Sequence, residues 1–185
     1  SFERRWVPRG WCGWKGAWST ITPDGHVDTV VRFGEGNVIL CTVPDADDTE
    51  NERALRANLA TLHNLERDGG GAYDVVPLPL PLDRSRWNDV RLPRSYANFC
   101  IVNGGVIVPT WNDPRDAESL DILQRAFPSR NVVGVPATAL VTGGGAFHCV
   151  TQHQPLGGAW SGRISSGRVS SRSISSDSTP SGDPL

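Results

Sequence analysis

The sequence is short of three things: long apolar runs, closely paired cysteines and net charge. With no stretch of about 18 apolar residues, no membrane-spanning helix is expected. The first residues also lack the basic, apolar, small-residue order of a signal peptide, so the cytoplasm is the expected location. A formal charge of −2 and a pI near 6.1 give no long-range attraction to nucleic acid or an anionic membrane, and neither is expected as a partner. A small cationic substrate is compatible with that balance. Cys12, Cys41, Cys100 and Cys149 stand far apart, which favours reduced thiols over a disulfide framework and leaves one of them free to be reactive.

At 185 residues the chain can bury one real core, although its apolar fraction of 38% is low. Part of the dilution comes from the end. From Leu156 onward Ser and Gly dominate, with Arg163, Arg168 and Arg172 alternating among serines. Such a stretch buries too little to offset its ordering entropy, so residues 1–155 are expected to fold and 156–185 to be a disordered tail.

Inside the folded part the run Val38 to Asp45 (VILCTVPD) is echoed by Val106 to Asp113 (VIVPTWND), at an offset of 68 residues from Val38 to Val106. Each run reads as a strand, then a helix, then another β-branched run. The first helix is expected from Glu50 to Arg67, with Ala54, Leu55, Leu59, Leu62 and Leu65 as its apolar stripe and Gly69 to Gly71 as its stop. The second is expected to be capped by Asn112 or Asp113, with Pro114 in its first turn and Ala117, Leu120, Leu123 and Phe127 buried. Strands are expected at Tyr73 to Leu78 and Asn131 to Val135. Small αβ units of this kind bury their apolar faces by stacking on one another, which predicts an α/β fold of repeated modules. The alternative is a plain α/β sandwich in which the likeness of the two runs is chance.

Two motifs could carry chemistry. Gly25-His26-Val27-Asp28 sets an imidazole and a carboxylate two residues apart, on one face if the chain is extended. A surface histidine beside an acid is as common as a catalytic one, and the spacing also suits a metal. Gly143-Gly144-Gly145-Ala146-Phe147-His148-Cys149 delivers a thiol from a loop whose glycines admit close approach and unusual φ. A turn followed by a buried structural cysteine reads equally well. Together the motifs supply a nucleophile, a proton carrier and an acid for holding a cation.

The stretches LPRSYANFCIVN from Leu92, VIVPTWNDPRDAESLDILQRAFPSRNVVGV from Val106 and GGGAFHCVTQ from Gly143 closely resemble the C-terminal half of bacterial agmatine deiminases and their peptidylarginine-deiminase-like relatives. Trp6 to Gly10 and the GHVD segment resemble them too, in the same order, so the likeness covers about residues 6 to 155. It implies a pentein, five ββαβ modules around a central channel, of which this chain would form a partial α/β propeller. It also implies hydrolytic deimination of a guanidinium, agmatine to N-carbamoylputrescine and ammonia, through an S-amidino cysteine, with no metal or organic cofactor.

By position, the resemblance makes Cys149 the nucleophile, His26 the acid and base, and Asp28 the carboxylate gripping the guanidinium. His148 adjoins Cys149, yet neighbours on an extended chain face opposite ways, which favours His26 as the proton carrier. Trp111 and Asn112 are read as packing and turn residues.

Relatives carry a further N-terminal half, so this chain alone is expected to be inactive and to pair with a second copy or a complementing half. Residues 11 to 19, rich in tryptophan, depart from the family pattern. Peptidyl arginine is the alternative substrate. A metal-dependent hydrolase using His26, Asp28, His148 and Cys149 as ligands, and a non-catalytic binding module, are the rival functions.

Overall fold

The computed structural model describes residues 26–49, 51–67 and 69–154. The aromatic segment 11–19 and the serine-rich tail from 156 lie outside the described residues. Two units with one connectivity follow each other. The first is β1 (Val31–Phe33), β2 (Val38–Val43), α1 (Glu52–His63) and β3 (Asp74–Pro79). After a small hairpin of β4 (Arg86–Trp87) and β5 (Val90–Arg91), the second is β6 (Cys100–Val102), β7 (Gly105–Thr110), α2 (Asp116–Ala126) and β8 (Asn131–Pro136).

In each unit two strands form an antiparallel hairpin, and a helix then carries the chain to a third strand lying parallel to the second. The likeness of the two sequence runs is therefore structural. The central strands begin at Val38 and Gly105, one residue off the register that aligning Val38 with Val106 implies.

β2 is rich in β-branched residues and is buried on both faces, as a strand between layers must be. Ile39 and Cys41 face Leu62 and Leu59 of α1, while Leu40 joins a core shared with the second unit. That core gathers Leu78, Tyr96, Phe99, Val106, Val108, Leu123 and Phe127, with Phe99 meeting Phe127 edge to face at 5.4 Å. Each fully buried side chain of this size contributes about 1.5–3 kcal/mol. The units also touch through backbone, since the Glu35 amide donates to the Ala126 carbonyl at 2.9 Å. A Cβ at Gly34 would sit 3.0 Å from that same oxygen, so glycine is what permits the approach.

Several element ends differ from expectation. α1 spans Glu52–His63 rather than Glu50 to Arg67, because the Asn64 carboxamide bonds the Ala60 carbonyl and closes the helix before the glycines arrive. Gly69, Gly70 and Gly71 have φ of 99°, 91° and 88°, and they turn the chain back toward β3 instead of stopping a helix. α2 starts at Asp116, after the expected cap. The Asp116 carboxylate reaches back to the amides of Trp111 and Asp113, and Asp113 accepts from the Arg115 amide. Ala117 is exposed, and Ser119 takes its expected place on the buried face.

The β4–β5 hairpin was not expected. Asn88 and Asp89 both have positive φ, the geometry of a tight two-residue hairpin turn. Arg91 fastens it to the loop after β2 by a bidentate pair with Asp48, both bonds 2.9 Å and both side chains buried. No described helix is long and apolar enough to cross a membrane.

Candidate active site

His26 and Asp28 enter the site from a single turn of 3₁₀ helix, Val27–Thr29, and not from a strand. The Thr29 hydroxyl and amide both bond the His26 carbonyl, which fixes the turn. The extended chain on which the shared face was conditional is not what forms here; the two Thr29 bonds to the His26 carbonyl hold a bend instead. His26 and Asp28 nevertheless come together with Cys149, one donor atom from each lying within 4.8 Å of the others.

Cys149 comes from the glycine loop. Gly144, with φ of 94°, ends a 3₁₀ turn over Leu140–Gly143, and the chain then curls, the Val150 amide reaching the Ala146 carbonyl at 3.3 Å. A Cβ on Gly145 would lie 2.5 Å from the Cys149 Cβ and 2.6 Å from its sulfur, so only glycine leaves the side chain room. The thiol is exposed, which separates it from the buried Cys41 and Cys100.

Because residues 147–150 form a turn, the reasoning that set His148 aside fails. His148 Nδ1 lies 2.6 Å from Asp28 Oδ2, and the Cys149 sulfur lies 3.3 Å from the same oxygen. Neighbours on a turn share a face that an extended chain would deny them.

Sequence reasoning missed the residue that joins these parts. The Asn98 carboxamide donates to Asp28 Oδ2 at 3.0 Å and to the Cys149 sulfur at 3.1 Å. Its oxygen accepts from the amides of Ala146 and Cys149, at 3.0 and 3.4 Å, and its own carbonyl accepts from the His148 amide. Asn98 is fully buried. The available signal was an amide set among apolar neighbours in LPRSYANFCIVN, a stretch in which only the resemblance drew attention.

Charge is arranged unevenly. Burial pushes the Asp28 carboxyl up, but hydrogen bonds from His148 and Cys149 and the positive field of His148 and His26 outweigh it, holding Asp28 below the usual carboxylate value. Burial pushes the Cys149 thiol up; the Asn98 amide opposes this and the Asp28 charge adds to it, so the sulfur rests protonated. Asp28 Oδ1 is buried with no hydrogen-bond partner among the described residues. A buried orphan oxygen on a carboxylate is a vacancy for a donor, and a cationic one would also relieve the unpaired charge. The donors of His26, Asp28 and Cys149 are near enough to close on a divalent ion as well.

Fold and site thus define a repeated α/β chain that presents a cysteine against a carboxylate and two imidazoles. The family model for the Porphyromonas-type peptidyl-arginine deiminases matches residues 6–155. The chain belongs to that family. It is 39% identical to an agmatine deiminase of Pseudomonas aeruginosa (strain LESB58) over 150 residues, 71% of this chain and 40% of the relative. Among solved structures, a Porphyromonas gingivalis protein provisionally named an arginine deiminase superposes with a TM-score of 0.67 at 39% identity, over 71% of this chain and 39% of that one. The Enterococcus faecalis agmatine deiminase gives 0.66 at 28% identity, over 71% and 40%. The chain spans about two fifths of the length of the relatives it matches.

Proposed function

We propose that this chain carries the nucleophile-bearing part of a guanidine deiminase, with agmatine as substrate and N-carbamoylputrescine and ammonia as products, a step toward putrescine. The observation that carries this reading is the Cys149 sulfur resting 3.3 Å from a half-buried carboxylate whose other, buried oxygen has no donor among the described residues. A planar guanidinium offers paired N–H groups to Asp28, with its carbon turned to the sulfur.

At rest the thiol donates to Asp28. An arriving guanidinium competes for the same oxygens and brings positive charge, so its binding favours the thiolate. The thiol proton passes to His26, and the thiolate adds to the guanidinium carbon, forming a C–S bond. His26 protonates the departing nitrogen, the C–N bond breaks and ammonia leaves an S-amidino enzyme. Water, giving a proton to His26, then adds to the same carbon; the C–S bond breaks and the ureido product departs. His148, already engaged with Asp28, orients that carboxylate.

The two units are, in this reading, adjacent blades of a pentein propeller ending near residue 155, working in the cytoplasm. The remaining blades come from a complementing N-terminal half, and a homodimer is the other arrangement to test. Ammonia release from agmatine, measured on this chain alone and mixed with a separately made N-terminal half, tests the reading. Release that depends on Cys149, lost in Cys149→Ser, is expected in at least the mixture. No release in either, or release that survives the substitution, overturns it. Peptidyl arginine in the same assay separates the other substrate class. A metal-dependent hydrolase, which the His26, Asp28 and Cys149 cluster also fits, predicts loss of activity in chelator.

A further inference from the structure

Arg32 stands at the middle of β1, opposite Leu40 in the ladder, on the face that meets the core shared by the two units. A guanidinium directed toward an apolar core costs desolvation, and burial does pull its pKa down. What it receives there is specific. Its Nη1 donates to the Ala97 carbonyl at 3.0 Å and the Phe99 carbonyl at 2.8 Å, and its guanidinium carbon lies over the Phe99 ring, 4.3 Å from the centroid. The two carbonyls flank Asn98, the residue whose carboxamide touches both Asp28 and Cys149.

We propose that Arg32 is a positioning residue of the site: by holding the backbone on either side of Asn98 it fixes that carboxamide, and through it the placement of the Cys149 sulfur against Asp28. β1 belongs to the first unit and Asn98 leads into the second, so one side chain registers the two halves of the site. A rotation of the 97–99 backbone would swing the carboxamide away from the sulfur and from the Ala146 and Cys149 amides together. A purely structural arginine would also stabilise the fold by this contact, so stability alone does not separate the two roles.

The test is a double-mutant cycle on this chain, read by the rate at which iodoacetamide alkylates Cys149, followed by intact mass across a pH series. This readout needs no turnover, so it stands or falls separately from the deiminase reading on which the word site rests. Arg32→Met is expected to lower the Cys149 alkylation rate by about tenfold, because the Asn98 amide that holds the sulfur is displaced. In the Asn98→Ala background the same substitution is expected to change it by less than about twofold, because the group through which it acts is gone. Arg32→Lys, which keeps a donor near both carbonyls, is expected to retain most of the parent rate, and Arg32→Gln carries the cycle if Arg32→Met fails to fold. Equal effects of the Arg32 change in both backgrounds, or an unchanged rate in a folded Arg32→Met, overturn the proposal.

Discussion

Just ahead of β1 the first unit carries Asp28, and just ahead of β6 the second carries Asn98; the two side chains meet over one sulfur. At the centre of β1 stands Arg32, paired with Leu40, whereas at the centre of β6 stands Ile101, paired with Val106. One scaffold has thus been used twice, with its sheet retained and its leading segments specialised. The first unit supplies acid and imidazole, and the second supplies the amide, the second imidazole and the thiol. The strands and helices set distances, while the short segments outside them set chemistry.

The sharpest way to break this division is Asp28→Asn. On the proposed chemistry it lowers agmatine deimination by at least about a hundredfold, since the guanidinium loses its ionic partner. Yet Cys149 is held up in pKa by burial and then by the Asp28 charge. Removing the charge therefore moves the alkylation-versus-pH curve of Cys149 to lower pH. Slower turnover with an easier thiol is a pair of results that simple misfolding does not produce.

Next in size is Asp48→Ala, in the scaffold and away from the sulfur. Removing the Asp48 side of its buried, bidentate pair with Arg91 is expected to cost about 3–5 kcal/mol in denaturant unfolding. Cys149 alkylation of the folded fraction is expected to stay as it was.

Gly145→Ala follows, because its methyl would overlap the Cys149 side chain. About 1–3 kcal/mol of overpacking is expected, along with a changed alkylation rate. Gly143→Ala, where an added Cβ meets nothing, sharpens the contrast by staying within about 0.5 kcal/mol of the parent.

The smallest effect concerns acid stability. Asp28 has its pKa lowered on folding, the net result of burial raising it and the His148 and Cys149 hydrogen bonds lowering it further. Its contribution is fully present above the unfolded value of about 3.9 and is lost as pH falls through the folded value. Acid unfolding of Asp28→Asn is expected to be correspondingly flatter in that range.

Periodicity made the central strands and both helices legible, since Leu55, Leu62 and Leu123 recur at helical spacing and are buried as the pattern demands. Element ends were less legible. The closing bond of Asn64 and the reach of Asp116 back to Trp111 are side-chain choices that apolar spacing does not encode. The site was half legible. Glycines before Cys149 and the His26–Asp28 pair could be seen, but their convergence depends on turns at residues 27–29 and 147–150, where an extended chain was assumed. Asn98 and Arg32 act through contacts 51 and 67 residues away, and neither has a local signature.

Cys149 lies 121 residues after the carboxylate it touches, so the ribosome finishes the first unit well before the sulfur emerges. In chain order the loop that carries Cys149 is the last part of the site to arrive, and its contacts with Asp28 and Asn98 complete it. Until the loop closes, the sulfur has an ordinary, lower pKa, so docking quiets the exposed thiol by keeping it protonated as well as aligning it.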